Sequence, residues 1–162
     1  MTSSDYKLFK AEGMREAIAM VIAATGSSGR EPQQVADNLV LANLKGHDSH
    51  GIGMVPRYVD SFLEGGLKVN QQPLSKIDAG PLLGLDGQAG FGQSIGEAAT
   101  DMAIARAKEH GVCVMGLGHA HHLGRIGHWA EQAVSKDLIS IHFVNVLSRP
   151  TVAPWGGAAG RF

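Results

Sequence analysis

A chain of 162 residues, 44% apolar and 18% charged, has enough apolar content for a packed core and length for one domain or one and part of another. Its formal net charge of −1, with Lys and Arg spread along the whole length, excludes the basic field of a nucleic-acid or acidic-membrane binder. The single cysteine, Cys113, excludes an intramolecular disulfide, and its neighbours Val112, Val114 and Met115 suit a small buried hydrophobe.

Residues 1–5 lack the basic stretch of a secretory leader, and no apolar run approaches the ~20 residues that cross a bilayer, so the expected location is the cytoplasm. Met14, Ile18, Val21 and Ile22 recur at helical spacing, with Gly26 as the stop. Glu31-Pro32 opens a second helix, with proline in the first turn where its missing N–H costs nothing. The expected buried stripe of that helix is Val35, Leu39, Val40 and Leu44, and Gly46 ends it. Pro56 starts a short third helix with Tyr58, Val59, Phe62 and Leu63 inward, closed by Gly65-Gly66.

Past a polar linker the period changes. Residues 74–77 and 82–85 read as short strands, separated by Ala79-Gly80 and followed by an Asp86-Gly87 turn. Residues 93–110 form a long helix whose alanines (Ala98, Ala99, Ala103, Ala107) suit close packing, ended by Gly111. A strand over 112–117, a helix over 125–136 and a second strand over 138–146 follow. Such a unit normally gives parallel strands with a right-handed crossover. Residues 151–162 read as a glycine-rich loop leading toward another element, so the chain is expected to be truncated.

Seven of the eight histidines lie between His47 and His128, mainly in two clusters. The first is Gly46-His47-Asp48-Ser49-His50-Gly51-Ile52-Gly53, between the second and third helices. An imidazole in a glycine-flanked loop can be held by the backbone and still reach solvent, and its pKa near 6.5 suits proton transfer. The plainer reading is a capping segment, with Asp48 or Ser49 opening the third helix. The second cluster is Gly118-His119-Ala120-His121-His122-Leu123-Gly124-Arg125-Ile126-Gly127-His128. It lies where a strand ends and a helix begins, the place where ligands collect in open α/β sheets. A helix N-terminus offers N–H groups to a phosphate, and Arg125 adds a full charge. The run is not a Rossmann fingerprint, because His121 stands where the third glycine belongs. Spacing alone also leaves open a zinc site built from His119, His121 and His122 with His47 or His50.

Four stretches in order carry a resemblance: Asn43 to Gly53, Leu85-Asp86-Gly87-Gln88-Ala89-Gly90-Phe91-Gly92, His122 to Gly127, and Val152-Ala153-Pro154-Trp155-Gly156-Gly157. Over essentially its whole length the chain resembles the malate/L-lactate dehydrogenase family, nearest its hydroxycarboxylate dehydrogenase B branch and only in the N-terminal half. The resemblance implies an oxidoreductase passing hydride between NAD or NADP and a small 2-oxo/2-hydroxy acid, in a cytoplasmic homodimer. It implies an α/β fold: an N-terminal helical segment (1–72), then the start of a mixed-sheet, non-Rossmann cofactor domain (73–162) like that of L-sulfolactate dehydrogenase. His50 matches the family's general acid/base, and His50, Gly124, Arg125 and Ile126 match its cofactor contacts. Arg57 and His122 are the substrate-binding candidates, and no metal is implied.

The sequence also departs from the family pattern. Met54 stands where many members carry a carboxylate-gripping arginine, and His119-Ala120 replaces the usual Asn-Ser. The family's Gly-Thr-Asn-Pro loop is expected beyond Phe162, and the chain alone is expected to be inactive. Since the family's first helices pack on C-terminal ones, Val35, Leu39 and Phe62 are expected to face water in this chain. Two other classes stay open, a metal-dependent hydrolase using the histidine clusters and a non-catalytic interaction fragment.

Overall fold

The computed structural model describes residues 7–145. Helices α1 (Ala11–Ala23), α2 (Glu31–Leu44) and α3 (Val55–Leu63) come first, with two single 3-10 turns at Asp48–His50 and Ile52–Met54 between α2 and α3. Strands β1 (Leu74–Ala79) and β2 (Leu82–Asp86), helix α4 (Gly92–His110), strand β3 (Val114–Gly118) and helix α5 (Gly127–Val134) follow.

The 3.6-residue period puts Ile18 and Ile22 of α1 against Val35, Ala36, Leu39 and Val40 of α2, and Tyr58, Leu67 and Phe91 complete this cluster. Full burial of a Val, Leu, Ile or Phe side chain contributes roughly 1.5–3 kcal/mol each. Val35 and Leu39, expected to face water, are fully buried here, and Phe62 packs at the margin of the same cluster. Their cover comes from α1 and α3 within the chain. Three other expectations fail in the opposite sense: Val21, Leu44 and Leu63 are 41%, 63% and 75% exposed. Val21 lies about 100° around the helix from Ile22. Leu44 and Leu63 close their helices, and the residues that follow them are exposed too.

A buried carboxylate ties the helical layer to α4. Glu31 accepts hydrogen bonds from the Ser27 hydroxyl (2.7 Å), the Asn70 N–H (2.7 Å) and the Ser94 hydroxyl (2.9 Å). Three donors satisfy a group that would otherwise be costly to bury.

The sheet is mixed, in the order β1-β2-β3. β1 runs antiparallel to β2, from Leu74↔Asp86 to Ala79↔Leu82 with a register irregularity between Ser75 and Ile77. β2 runs parallel to β3, from Leu82↔Val114 to Asp86↔Gly118. Strand alternation sends Leu83 and Leu85 toward Ala99 of α4, with Cys113, Met115 and Leu117 partly buried beside them.

The parallel unit therefore differs from the expected one. It is β2-α4-β3, and the second strand expected over 138–146 is not formed in its described part. Residues 138–145 enter no ladder, and Ile139, Ile141 and Phe143 are 96%, 80% and 94% exposed. An extended apolar segment becomes a strand only when a neighbour takes its N–H and C=O groups, and none does so among the described residues. The fourth motif, Val152 to Gly157, lies outside the described residues. Helix α5 also starts two residues later than expected, at Gly127, leaving Arg125 and Ile126 in the turn before it.

Candidate active site

The first histidine loop hangs from one side chain. Asn43, in the last turn of α2, donates its amide N–H to the Asp48 carboxylate and accepts the Ile52 N–H at 2.8 Å. Between those anchors a 3-10 turn presents His50, whose Nδ1 lies 2.9 Å from Ser49 Oγ. The His50 ring stands 4.6 Å from that of His47 and 5.0 Å from that of His122, centroid to centroid. The structure thus joins the two clusters through one histidine of each.

The second loop rests on the Leu85–Gly92 stretch. Gly87 N–H donates to the Gly118 carbonyl (2.8 Å), Ala89 N–H to the His119 carbonyl (2.7 Å), and His121 N–H to the Gly90 carbonyl (3.0 Å). A Cβ at Gly92 would collide with the carbonyls of His121 and His122, so only glycine lets the loop lie this close. His119 turns away from the cluster and pairs its Nδ1 with Asp86 Oδ1 at 2.9 Å. His122 turns inward. Its Nδ1 is 2.8 Å from Tyr58 Oη, and Gln93 Nε2 donates to the same hydroxyl at 2.7 Å.

Burial shapes the electrostatics. Desolvation, then charge on His50, His121 and Arg57, brings His122 down to about 4. His50 is lowered for the same first reason, with His47 adding to it. Burial raises the Tyr58 phenol to about 12, against smaller opposing effects of Gln93 and Arg57. Arg57 itself is exposed and has no ion-pair partner among the described residues. Met54 packs at the margin of the helical core, so it is Arg57 that supplies a cation near these histidines.

The Gly124-Arg125-Ile126 turn borders this group through Gln93 and Asn38. Gly124 has φ +68°, and the space a Cβ would need is filled by the Asn38 amide. Both polar atoms of that amide, and Gln93 Oε1, are buried without a partner among the described residues. The N–H groups of residues 124–127 likewise find no acceptor among the described residues, a donor set suited to an anion. The Arg125 guanidinium is engaged elsewhere. It binds Glu131 at 2.7 Å, and Lys45 reaches the other oxygen of that carboxylate at 3.2 Å.

Of the residues singled out from sequence, His50 and His122 come together with Arg57 nearby, and the 124–126 turn borders them. Sequence reasoning read Tyr58 as a core residue and passed over Gln93, Asn38 and Asn43, because no spacing rule marks a polar side chain whose partner is remote in sequence. The zinc alternative lacks geometry: among the described residues no three His, Cys, Asp or Glu side chains come together as ligands. No helix among them is long and apolar enough to cross a membrane.

The sheet of the described residues is mixed, with one antiparallel and one parallel pairing. Residues 9–162 match the family model described as malate/L-lactate dehydrogenase, and the chain belongs to that family. It is 44% identical over 154 residues to hydroxycarboxylate dehydrogenase B of Escherichia coli strain K12, covering 95% of this chain and 43% of that protein. To the L-lactate dehydrogenase of Cupriavidus necator it is 38% identical, over 87% of this chain and 41% of that one. The chain thus spans about two fifths of the length of these relatives.

Among solved structures, sulfolactate dehydrogenase from Methanocaldococcus jannaschii superposes with a TM-score of 0.78 at 31% identity, covering 81% of this chain and 38% of that one. Malate dehydrogenase from Pyrococcus horikoshii gives 0.79 at 28% identity, covering 84% and 39%. These relatives give no support to a hydrolase or to a non-catalytic fragment.

Proposed function

We propose that this chain carries the proton-transfer part of a dehydrogenase that interconverts small 2-oxo and 2-hydroxy acids with NAD or NADP. The observation that carries the reading is the meeting of His50 and His122, rings 5.0 Å apart, with the Arg57 cation nearby. The bound nicotinamide supplies or accepts the hydride.

Each residue then has a task. His50 passes a proton to and from the substrate oxygen, with Ser49 Oγ holding its other nitrogen. Its lowered pKa leaves it neutral and ready to accept the hydroxyl proton at neutral pH. Arg57 grips the carboxylate, and His122 offers a hydrogen bond to the substrate. The N–H groups at Gly124, Arg125 and Ile126, without acceptors among the described residues, suit the diphosphate, with His50 touching the dinucleotide as well. The Arg125-Glu131-Lys45 group carries one net positive charge toward the same anion. Family resemblance further suggests a cytoplasmic homodimer.

The test is NADH and NADPH oxidation by the intact protein with a panel of 2-oxo acids. His50→Ala should cut turnover by roughly 10²–10⁴-fold and weaken dinucleotide binding by much less, since His50 is one of several contacts to it. Arg125→Ala, which removes the net positive charge of the Arg125-Glu131-Lys45 group, should raise the dinucleotide Kd by roughly several-fold. A His50→Ala enzyme keeping more than about a third of its turnover would remove His50 from the chemistry.

A further inference from the structure

We propose that Tyr58 is a positioning residue: held between Gln93 and His122, its hydroxyl fixes His122 in the tautomer that carries its proton on Nε2. The kinetic consequence rests on the reading of His122 as a substrate contact, whereas the tautomer itself does not.

A phenol has one proton to give. Gln93 Nε2 donates to Tyr58 Oη at 2.7 Å, so that contact uses the oxygen as acceptor. The phenol proton then goes to the remaining neighbour, His122 Nδ1 at 2.8 Å. Burial keeps the phenol protonated well beyond neutrality. A neutral imidazole that accepts at Nδ1 must carry its proton at Nε2.

Burial first, and then the surrounding charges, hold His122 neutral. His50 faces it from the first loop, His121 from its own loop and Arg57 from α3, and each disfavours a second proton. On the buried side Tyr58 is the hydrogen-bond partner of His122, and Gln93 acts on it only through that hydroxyl. His122 is thereby a constant N–H donor beside His50, and the titrating step falls to His50. In the other tautomer a lone pair would meet the substrate oxygen and repel it.

Packing does not call for this hydroxyl. The Tyr58 ring meets Phe91 edge to face at 5.8 Å, a contact that phenylalanine would keep. The hydroxyl, 1% exposed with its residue, has only Gln93 and His122 as hydrogen-bond partners among the described residues.

The experiment is a long-range ¹⁵N–¹H correlation on the intact protein labelled with ¹⁵N-histidine, paired with the pH profile of turnover. The wild type should show His122 protonated on Nε2 and unprotonated on Nδ1. Tyr58→Phe leaves the burial and the nearby charges in place but removes the donor to Nδ1. It should give mixed tautomers, a somewhat higher His122 pKa, a shifted acid limb and kcat about tenfold lower, with dinucleotide KM unchanged. Gln93→Glu supplies an acceptor in place of a donor. It should draw the phenol proton away and move the His122 proton to Nδ1. A wild-type proton on Nδ1, or tautomers unchanged in both variants, would overturn the proposal. Because the NMR signal needs no turnover, it decides the matter even if the dehydrogenase reading fails.

Discussion

The loop carrying His50 hangs on the side chain of Asn43, whereas the loop carrying His122 is joined by three backbone hydrogen bonds to residues 87–90. Both bring an imidazole to the same place. The first is tied to α2 at its start by the His47 N–H to the Ala42 carbonyl (2.8 Å). Across the 3-10 turn itself one amide bridges Asp48 and Ile52, so that stretch can shift when the amide is lost. The second is laid directly on backbone, so its position is set by how closely two chain segments approach. A loop of the first kind suits a group that must move a proton and meet substrate. One of the second kind suits a group that must hold still.

Breaking the second loop should give the largest effect on stability. Gly92→Ala drives a methyl into the carbonyls of His121 and His122, where backbone must shift. Overpacking of this kind costs about 3 kcal/mol. The check is the urea midpoint, and an unchanged midpoint would mean the loop is less closely seated than described.

Acid should act on the same loop. The His122 pKa falls from 6.5 to about 4 on folding, so below neutrality the unfolded chain binds more protons than the folded one. Stability is full above pH 6.5 and is lost as pH falls toward about 4. The loss should be on the order of 2 kcal/mol after discounting for partial solvent exposure. The lowered pKa values of His50, His121 and His128 act in the same direction. Denaturant melts across this range read the slope, and a flat profile would contradict the burial of His122.

Asn43→Ala should have the smallest effect on stability and the most local one. It removes the bonds to Asp48 and to the Ile52 N–H, worth about 1 kcal/mol net. Hydrogen exchange should quicken at the His50 and Ile52 amides and stay unchanged at His121. Equal loosening of both loops would show that they are not held independently.

The outcomes of the sequence reading divide along the same physical line. The two glycine-flanked loops were legible because Gly, Pro and the change of period punctuate the chain locally. The meeting of His50 with His122 was not, since it joins residues far apart in sequence. The role of Tyr58 was hidden for the same reason: its partner His122 lies 64 residues away. Arg125 was read as a free charge, because nothing in the pattern reveals that Glu131 and Lys45 converge on it.

By itself the sequence determined the helices α1 to α4, the strands β1 and β2 and the membership of a dehydrogenase family through motifs spread over the chain. These follow from side-chain period and from residues with special backbone freedom, both properties of short stretches. Tertiary structure alone decided that β3 pairs with β2, that residues 138–145 find no strand partner among the described residues, and that Leu44 and Leu63 face solvent while Val35 and Leu39 do not. It also decided which histidines meet. The period of a segment says which of its faces is apolar, but burial, strand pairing and proton wiring depend on what arrives to cover that face, and the arriving groups come from elsewhere in the chain.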